Sequence, residues 1–315
     1  MAIQRVESLR YGVADIEAGV RYFSDVGLEK VEGGTKGATF RTQTNQLIHL
    51  HPMDDPSLPK SPEAGPTNRE TVWGVDSKAS LEALGAELSK DREVRATPDG
   101  VLHTRDETGF AIGFAVANST PAAVPTKGYN WFQTADRVNR RAPRHETVRP
   151  IRIGHVVYLI KNDGNKDKAR AFYQQRLGFK STDHSARVGD FMRVGGAAAD
   201  HHSLLLMWVR QQVVKFDHVA FEVAGFDDVL ASGPYMQQRG WKGTWGPGRQ
   251  SLGSHLFWHF DNPCGGEVEL FTDMDRFDDS WQTQVWPEAT PGGDWLHGEA
   301  PAHGPRPTQG APGGH

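Results

Sequence analysis

IGHVVYLIKNDGNKDKARAFYQQRLGF, residues 153–179, is the stretch on which the reading of the whole chain turns. Its opening, IGHVVYLI, has the β-branched and aromatic content of a strand. From Asp167 onward Ala169, Phe172, Tyr173 and Leu177 recur at helical spacing on one face, and Gly178 stops the run. Two apolar runs follow, DFMRV (190–194) and HSLLLMWV (202–209), completing a strand-helix-strand-strand-strand order. The order then repeats: FDHVAFEV (216–223) reads as a strand, DDVLASGPYMQQRG (227–240) as a helix, and SHLFWHF (254–260) with GEVELFTD (266–273) as a closing hairpin through the turn residues of DNPCGG.

Residues ahead of this stretch carry the same order twice more. SLRYGVAD (8–15), IEAGVRYFSDVGLE (16–29), GATFRT (37–42) and NQLIHLHP (45–52) form one set; TVWGVD (71–76), SLEALGAELSK (80–90), VLHTRD (101–106) and GFAIGFAV (109–116) form the other. The helix ends align, Tyr22, Val26, Gly27 and Leu28 against Tyr173, Leu177, Gly178 and Phe179. Internal repetition of this kind predicts an α+β chain of four βαβββ units in two domains, each a curled mixed sheet flanked by helices. Residues 117–150 lack periodicity and are broken by Pro121, Pro125, Pro143 and Pro150, so the expected division is a domain over 1–116, a linker over 117–150 and a second domain over 151–285. From 286 to 315 the Pro- and Gly-rich composition predicts an irregular wrap and a flexible tail.

A length of 315 residues suits two domains with real cores. The net charge of −4, with no stripe of Lys and Arg, gives no reason to expect a nucleic-acid partner. The basic run Arg137, Arg140, Arg141, Arg144 falls in the linker and reads as a solvated connection. A single cysteine, Cys264, rules out an intramolecular disulfide or a Cys-rich zinc cluster and fits a cytoplasmic, reducing compartment. The start MAIQRVESLRYGV has no apolar signal-like core and no window approaches a membrane span, so neither export nor a membrane association is expected.

Fourteen histidines raise the question of a metal. His155 stands in the first strand of one unit, His218 in the first strand of the next, and Glu269 in the last strand of that unit. If paired units face each other across a lumen, the three could converge as two imidazoles and a carboxylate on one face, an arrangement suited to Fe(II) or Mn(II) oxygen chemistry. Each taken singly has a plainer reading, a satisfied core histidine or a solvent-facing strand carboxylate. The comparison with the first domain changes the balance: the equivalent positions there are Ser8, Glu70 and Gly113, so the fold itself does not demand ligands at these places, and the first domain is expected to lack a metal site.

GHVVYLIKNDGNKDKARAFYQQRLGF, DHHSLLLMW, FDHVAFEVAGFDDV and GEVELFTD together resemble the second domain of the type I extradiol dioxygenases, in the vicinal oxygen chelate (glyoxalase/bleomycin resistance/dioxygenase) superfamily. The spacings of 63 residues from His155 to His218 and 51 from His218 to Glu269 agree with that group. The resemblance implies Fe(II), with Mn(II) as the other choice, held by His155, His218 and Glu269, and a catecholic ring opened by O₂ beside its two hydroxyls. It implies a proton-handling histidine at His202, 16 residues before His218, whereas the adjacent His201 is read as a residue on the opposite face. Counting back 19 and 10 residues from Glu269, where the family places a histidine and a tyrosine, gives Gln250 and His259, with His255 as a further donor if the hairpin register slips by one. Phe191, Trp208, Phe257 and Trp258 are candidates for an aromatic-accepting pocket, with core packing as the alternative.

The expected partners are therefore a small aromatic diol and O₂, and the family habit is homo-oligomeric. Two alternatives stay open. One is a metalloenzyme of the same superfamily without oxygenase activity, an isomerase, lyase or hydrolase, suggested by the departures at Gln250 and His259. The other is a ligand-binding protein without turnover, against which the intact ligand set argues.

Overall fold

A computed structural model describes residues 3–34, 36–122, 128–142, 147–196, 198–209, 213–287 and 290–297. Four βαβββ units follow one another. The first comprises β1 (Ile3–Val13), α1 (Ile16–Val26), β2 (Glu29–Gly34), β3 (Gly37–Arg41) and β4 (Leu47–Pro52). The second has β5 (Thr67–Val75), α2 (Lys78–Leu88), β6 (Arg95–Ala96), β7 (Leu102–Arg105) and β8 (Ala111–Val116). A small hairpin in the connection, β9 (Asn130–Trp131) and β10 (Thr134–Ala135), precedes the third unit. That unit is built from β11 (Arg152–Lys161), α3 (Gly164–Ala171), β12 (Lys180–Ser185), β13 (Gly189–Arg193), a short β14 (Ala199–Asp200) and β15 (Leu204–Val209). The fourth contains β16 (Lys215–Glu222), α4 (Phe226–Gln238), β17 (Gly243–Gln250), β18 (Leu256–Asp261) and β19 (Glu267–Thr272). The end of the described chain adds β20 (Arg276–Phe277), β21 (Gln284–Trp286) and β22 (Gly293–Leu296).

Local chemistry fixes the helix ends. Asp15 caps α1 by accepting from the amide of Ala18 at 3.0 Å, and Gly27 ends it at φ 96°, where an added Cβ would lie 1.8 Å from the carbonyl oxygen of Val148. Asp163 caps α3 through the Asn165 amide, so the helix begins three residues ahead of the apolar run that predicts it. It continues as a π-helical turn over Phe172–Arg176 and stops before Gly178 at φ 72°.

Units pair through their first strands. The first sheet runs β2-β3-β4-β1-β5-β8-β7-β6, with β1 antiparallel to β5; the second runs β21-β12-β13-β15-β11-β16-β19-β18-β17-β22, with β11 antiparallel to β16. One face of each sheet is apolar, and both faces merge into one core containing Leu9, Trp73, Val156 and Val219. Phe110 stacks on Tyr158 at 4.3 Å across the two halves, and Trp73 meets Phe179 edge-on at 4.9 Å. Gln46 ties the halves with polar bonds: its amide nitrogen donates to the carbonyls of Val6 (2.6 Å) and Ile153 (3.0 Å), and its oxygen accepts from the Ile153 amide (2.7 Å). The opposite face of the second sheet carries the site.

Of the basic connection, Arg137 donates to the Gly128 carbonyl and Arg140 to that of Asp136, while Arg144, Pro125 and Pro143 lie outside the described residues. The segment expected to be irregular after residue 286 supplies β22, which pairs with β17, and β21 just ahead of it lines the far edge along β12. Backbone pairing at a sheet edge needs no apolar periodicity, so composition gave no sign of it. Residues 298–315, the expected tail, lie outside the described residues.

Candidate metal centre

β11, β16 and β19 are neighbours, and this adjacency builds the site. Antiparallel pairing puts His155 opposite Ala220, and parallel pairing puts Ala220 opposite Glu269. His218 stands two residues before Ala220 on the same face of β16. The three side chains thus come from three adjacent strands of one sheet, not from opposite walls of a lumen. His155 and Glu269 are 1% exposed and His218 6%, so all three are withdrawn from water.

Nε2 of His155 and Nε2 of His218 each lie 3.1 Å from Glu269 Oε2 and 3.4 Å from each other. Neighbouring ligands of an octahedral ion with bonds of about 2.1 Å stand about 3.0 Å apart, so this triangle has the edge lengths of one face of such an ion. His218 Nδ1 is 2.7 Å from Asp217 Oδ2, the orienting carboxylate that metal-bound imidazoles commonly have. Buried His259 Nε2 and Glu269 Oε1 have no hydrogen-bond partner among the described residues, polar atoms that a bound ion and its ligands would satisfy. The donor set and its geometry fit a divalent cation.

Burial and the surrounding charges set the protonation of the three groups. Burial pushes His155 down to about 4. Burial would lower His218 too, but its bonds to Asp217 and Glu269 outweigh that and hold it at about 10. Glu269 lies well below the usual carboxylate range because His155, His255 and His259 surround it, despite burial acting the other way.

Around this triangle stand most of the other expected residues. The His202 ring lies 4.2 Å from that of His155 and 5.7 Å from that of His255. Burial and the neighbouring His155, His201 and His255 push His202 well below its ordinary pKa, so it is neutral near pH 7. His255 Nε2 is 3.0 Å from Glu269 Oε1, though off the line of a hydrogen bond. His259 faces Glu269 directly across β18 and β19; its Nδ1 is 2.9 Å from Glu267 Oε2, and its Nε2 is 3.5 Å from Glu269 Oε2. Gln250 is different. Its backbone N–H donates to the His255 carbonyl, and no described contact joins its side chain to the triangle.

Of the candidate aromatics, Phe191 lies 5.2 Å from His202 and Phe257 5.5 Å from His259. Trp258 is on the opposite face, stacked on Phe260 over Gly233, and Trp208 is beside His184. Two walls escaped the sequence reading: Trp245, 5.3 Å from His259, and Phe271, 5.2 Å from His155. Phe271 shares the alternation of Glu269 and was countable; Trp245 was not, because β17 changes register beside it. The polar supports Asp217, Glu267, Asp183 and His201 were also missed.

In the first domain Ser8 pairs with Val72 and Val72 with Gly113, the same register as His155, Ala220 and Glu269, which makes Glu70 the counterpart of His218 and His103 that of His259. Glu70 is 1% exposed and engaged by Arg10 Nη1 at 3.1 Å and His103 Nδ1 at 2.7 Å. An internal ion pair stands where the second domain has its triangle, at the wall of a cavity of about 880 Å³.

Comparison with known proteins bears on the second domain. Metapyrocatechase 2 of Cupriavidus necator is 30% identical over 142 residues, 45% of this chain and 42% of that protein, so the match spans less than half the relative's length. Among solved structures, the Mn(II)-bound glyoxalase from Novosphingobium aromaticivorans superposes with a TM-score of 0.71 at 22% identity, covering 96% of each chain. The 2,3-dioxygenase from Pseudomonas sp. KL28 gives 0.72 at 15% identity, covering 91% of this chain and 98% of the other. At these identities the likeness is one of fold. No described helix is long and apolar enough to cross a membrane. Residues 152–270 match the model of the Glyoxalase/Bleomycin resistance protein/Dioxygenase superfamily and form a domain of that superfamily.

Proposed function

We propose that this chain is a metal-dependent extradiol dioxygenase that opens a catecholic ring with O₂, using Fe(II) or Mn(II) held by His155, His218 and Glu269. The observation that carries the proposal is the triangle of His155 Nε2, His218 Nε2 and Glu269 Oε2, two imidazoles and a carboxylate with the edge lengths of one face of an octahedral ion. A divalent metal bound there would supply a template and an electron path between an ortho-diol and O₂. His202, neutral and beside His155, would accept a hydroxyl proton from the diol and return it later. His255 and His259 offer further polar contacts to substrate oxygens, and Phe191, Phe257, Trp245 and Phe271 exclude water around the ring. We assign the chain to the cytoplasm as a homo-oligomer acting on small aromatic diols, following the resemblance and the single reduced cysteine.

The second reading, a superfamily metalloenzyme without oxygenase chemistry, draws on the absence of any described contact from Gln250 to the site and on His259 where the family has a phenol. Anaerobic reconstitution with Fe(II), addition of a panel of catechols and admission of air separates the two. O₂ uptake with yellow ring-opened product is the expected result; metal binding with no uptake on any diol favours the second reading.

A further inference from the structure

His201, read from sequence as facing away from the site, is joined to it. Its Nδ1 lies 2.9 Å from His202 Nδ1 and its Nε2 lies 2.8 Å from Asp183 Oδ2. Asp183 is 4% exposed, His201 1% and His202 2%, so the three form a buried file from β12 to the wall of the metal triangle. The His201 ring is clamped. Its amide donates to the Asp275 carbonyl at 2.7 Å, Phe191 and Phe277 pack on it at 5.2 and 5.8 Å, and Gly253, at φ 88°, approaches so closely that a Cβ there would lie 2.8 Å from His201 Nδ1.

With Asp183 ionised and both imidazoles neutral, hydrogen-bond bookkeeping along the file has one solution. An ionised carboxylate only accepts, so Asp183 requires the proton of a neutral His201 on Nε2. His201 Nδ1 then carries a lone pair and accepts, which requires His202 to donate from Nδ1–H. His202 is left with its lone pair on Nε2, an atom that no described side chain hydrogen-bonds. We infer that Asp183 and His201 are positioning residues that fix the ring orientation and tautomer of His202, presenting Nε2 as the proton acceptor of the reaction proposed above. Burial, opposed by Asp183, lowers the pKa of His201, in keeping with its neutral form. The logic is that of an acid-base histidine oriented by a partner on its far nitrogen, here with a second imidazole interposed.

The inference rests on the proposed reaction for its purpose but not for its test. Long-range ¹H–¹⁵N spectra of the Zn(II)-treated protein near neutral pH, with His202 assigned by difference from His202→Gln, read the tautomer directly. The expected result is His202 protonated at Nδ1 and His201 at Nε2 in the wild type. Asp183→Leu, which removes the acceptor, should mix both tautomers of both rings, and Asp183→Asn, which keeps an acceptor oxygen, should restore the wild-type pattern. In O₂ uptake with the best catechol, Asp183→Leu and His201→Phe should each lower kcat about 10- to 100-fold with KM little changed, and the double variant should be no worse than either. A wild-type His202 protonated at Nε2 overturns the inference, whatever the variants do. So does an unchanged tautomer in a folded Asp183→Leu protein. Absence of O₂ uptake on every diol would refute the dioxygenase reading while leaving the tautomer result standing.

Discussion

Metal binding at the triangle should release a single proton near neutral pH, and the structure says from where. His155, held at about 4, and Glu269, held well below the usual carboxylate range, are already deprotonated at pH 7. His218, held at about 10, is not. An ion that takes its Nε2 must displace that proton. The sign follows: as pH rises toward 10 less work is needed to free the nitrogen, so apparent affinity grows with pH, by about tenfold per unit and about a hundredfold from pH 6 to pH 8. At pH 7 the displacement costs about 4 kcal/mol, from the gap between 7 and about 10. Calorimetric titration with Mn(II) in buffers of differing ionisation enthalpy counts the protons; Mn(II) serves better than Zn(II), whose bound water can itself ionise near pH 7. Asp217→Asn removes the partner at 2.7 Å and should lessen both the proton release and the pH slope. Release of no proton, or a pH-independent affinity, would refute the assignment of His218 as the ligand that is protonated before the ion binds.

Other consequences are independent of that one. Glu269→Ala should abolish retention of a stoichiometric divalent ion, checked by elemental analysis after gel filtration; retention would mean that the triangle is not the site. Gln46→Ala leaves the Val6 and Ile153 groups without buried partners and should lower unfolding stability by about 2–5 kcal/mol, read by denaturant titration. Gly233→Ala puts a Cβ 1.9 Å from the Trp258 ring and should cost about 1–3 kcal/mol or more, visible as a depressed melting temperature. Cys264, buried and pushed up to about 12, should resist alkylation in the native protein at pH 8 and react promptly in denaturant.

How much of this was legible in the sequence differs by residue. Repetition of the unit was readable because helix stops at Gly27 and Gly178 and alternating strands leave local signatures. His259 was countable from Glu269 because β18 and β19 pair without a shift from Leu256 and Thr272 to Asp261 and Glu267. Gln250, given by the same counting, ends β17 with its backbone N–H bonded to the His255 carbonyl, and no described contact joins its side chain to the triangle. His255 stands in the site without any slip. His201 escaped because alternation was applied where no strand exists: β15 begins at Leu204, and His201 lies in the turn ahead of it, with its direction set by Asp183 and Asp275 from distant parts of the chain. Adjacency of β11, β16 and β19 is likewise non-local, and no spacing in the sequence specifies it.

The most direct test of the account follows oxygen atoms. Fe(II)-loaded protein turning over its best catechol under ¹⁸O₂, quenched fast enough to limit exchange with water, should give a ring-opened product carrying both atoms of one O₂ molecule, and Glu269→Ala should give none. A ring that stays closed, or a product whose new oxygen comes from water, would contradict the assignment of His155, His218 and Glu269 to a ring-opening dioxygenase.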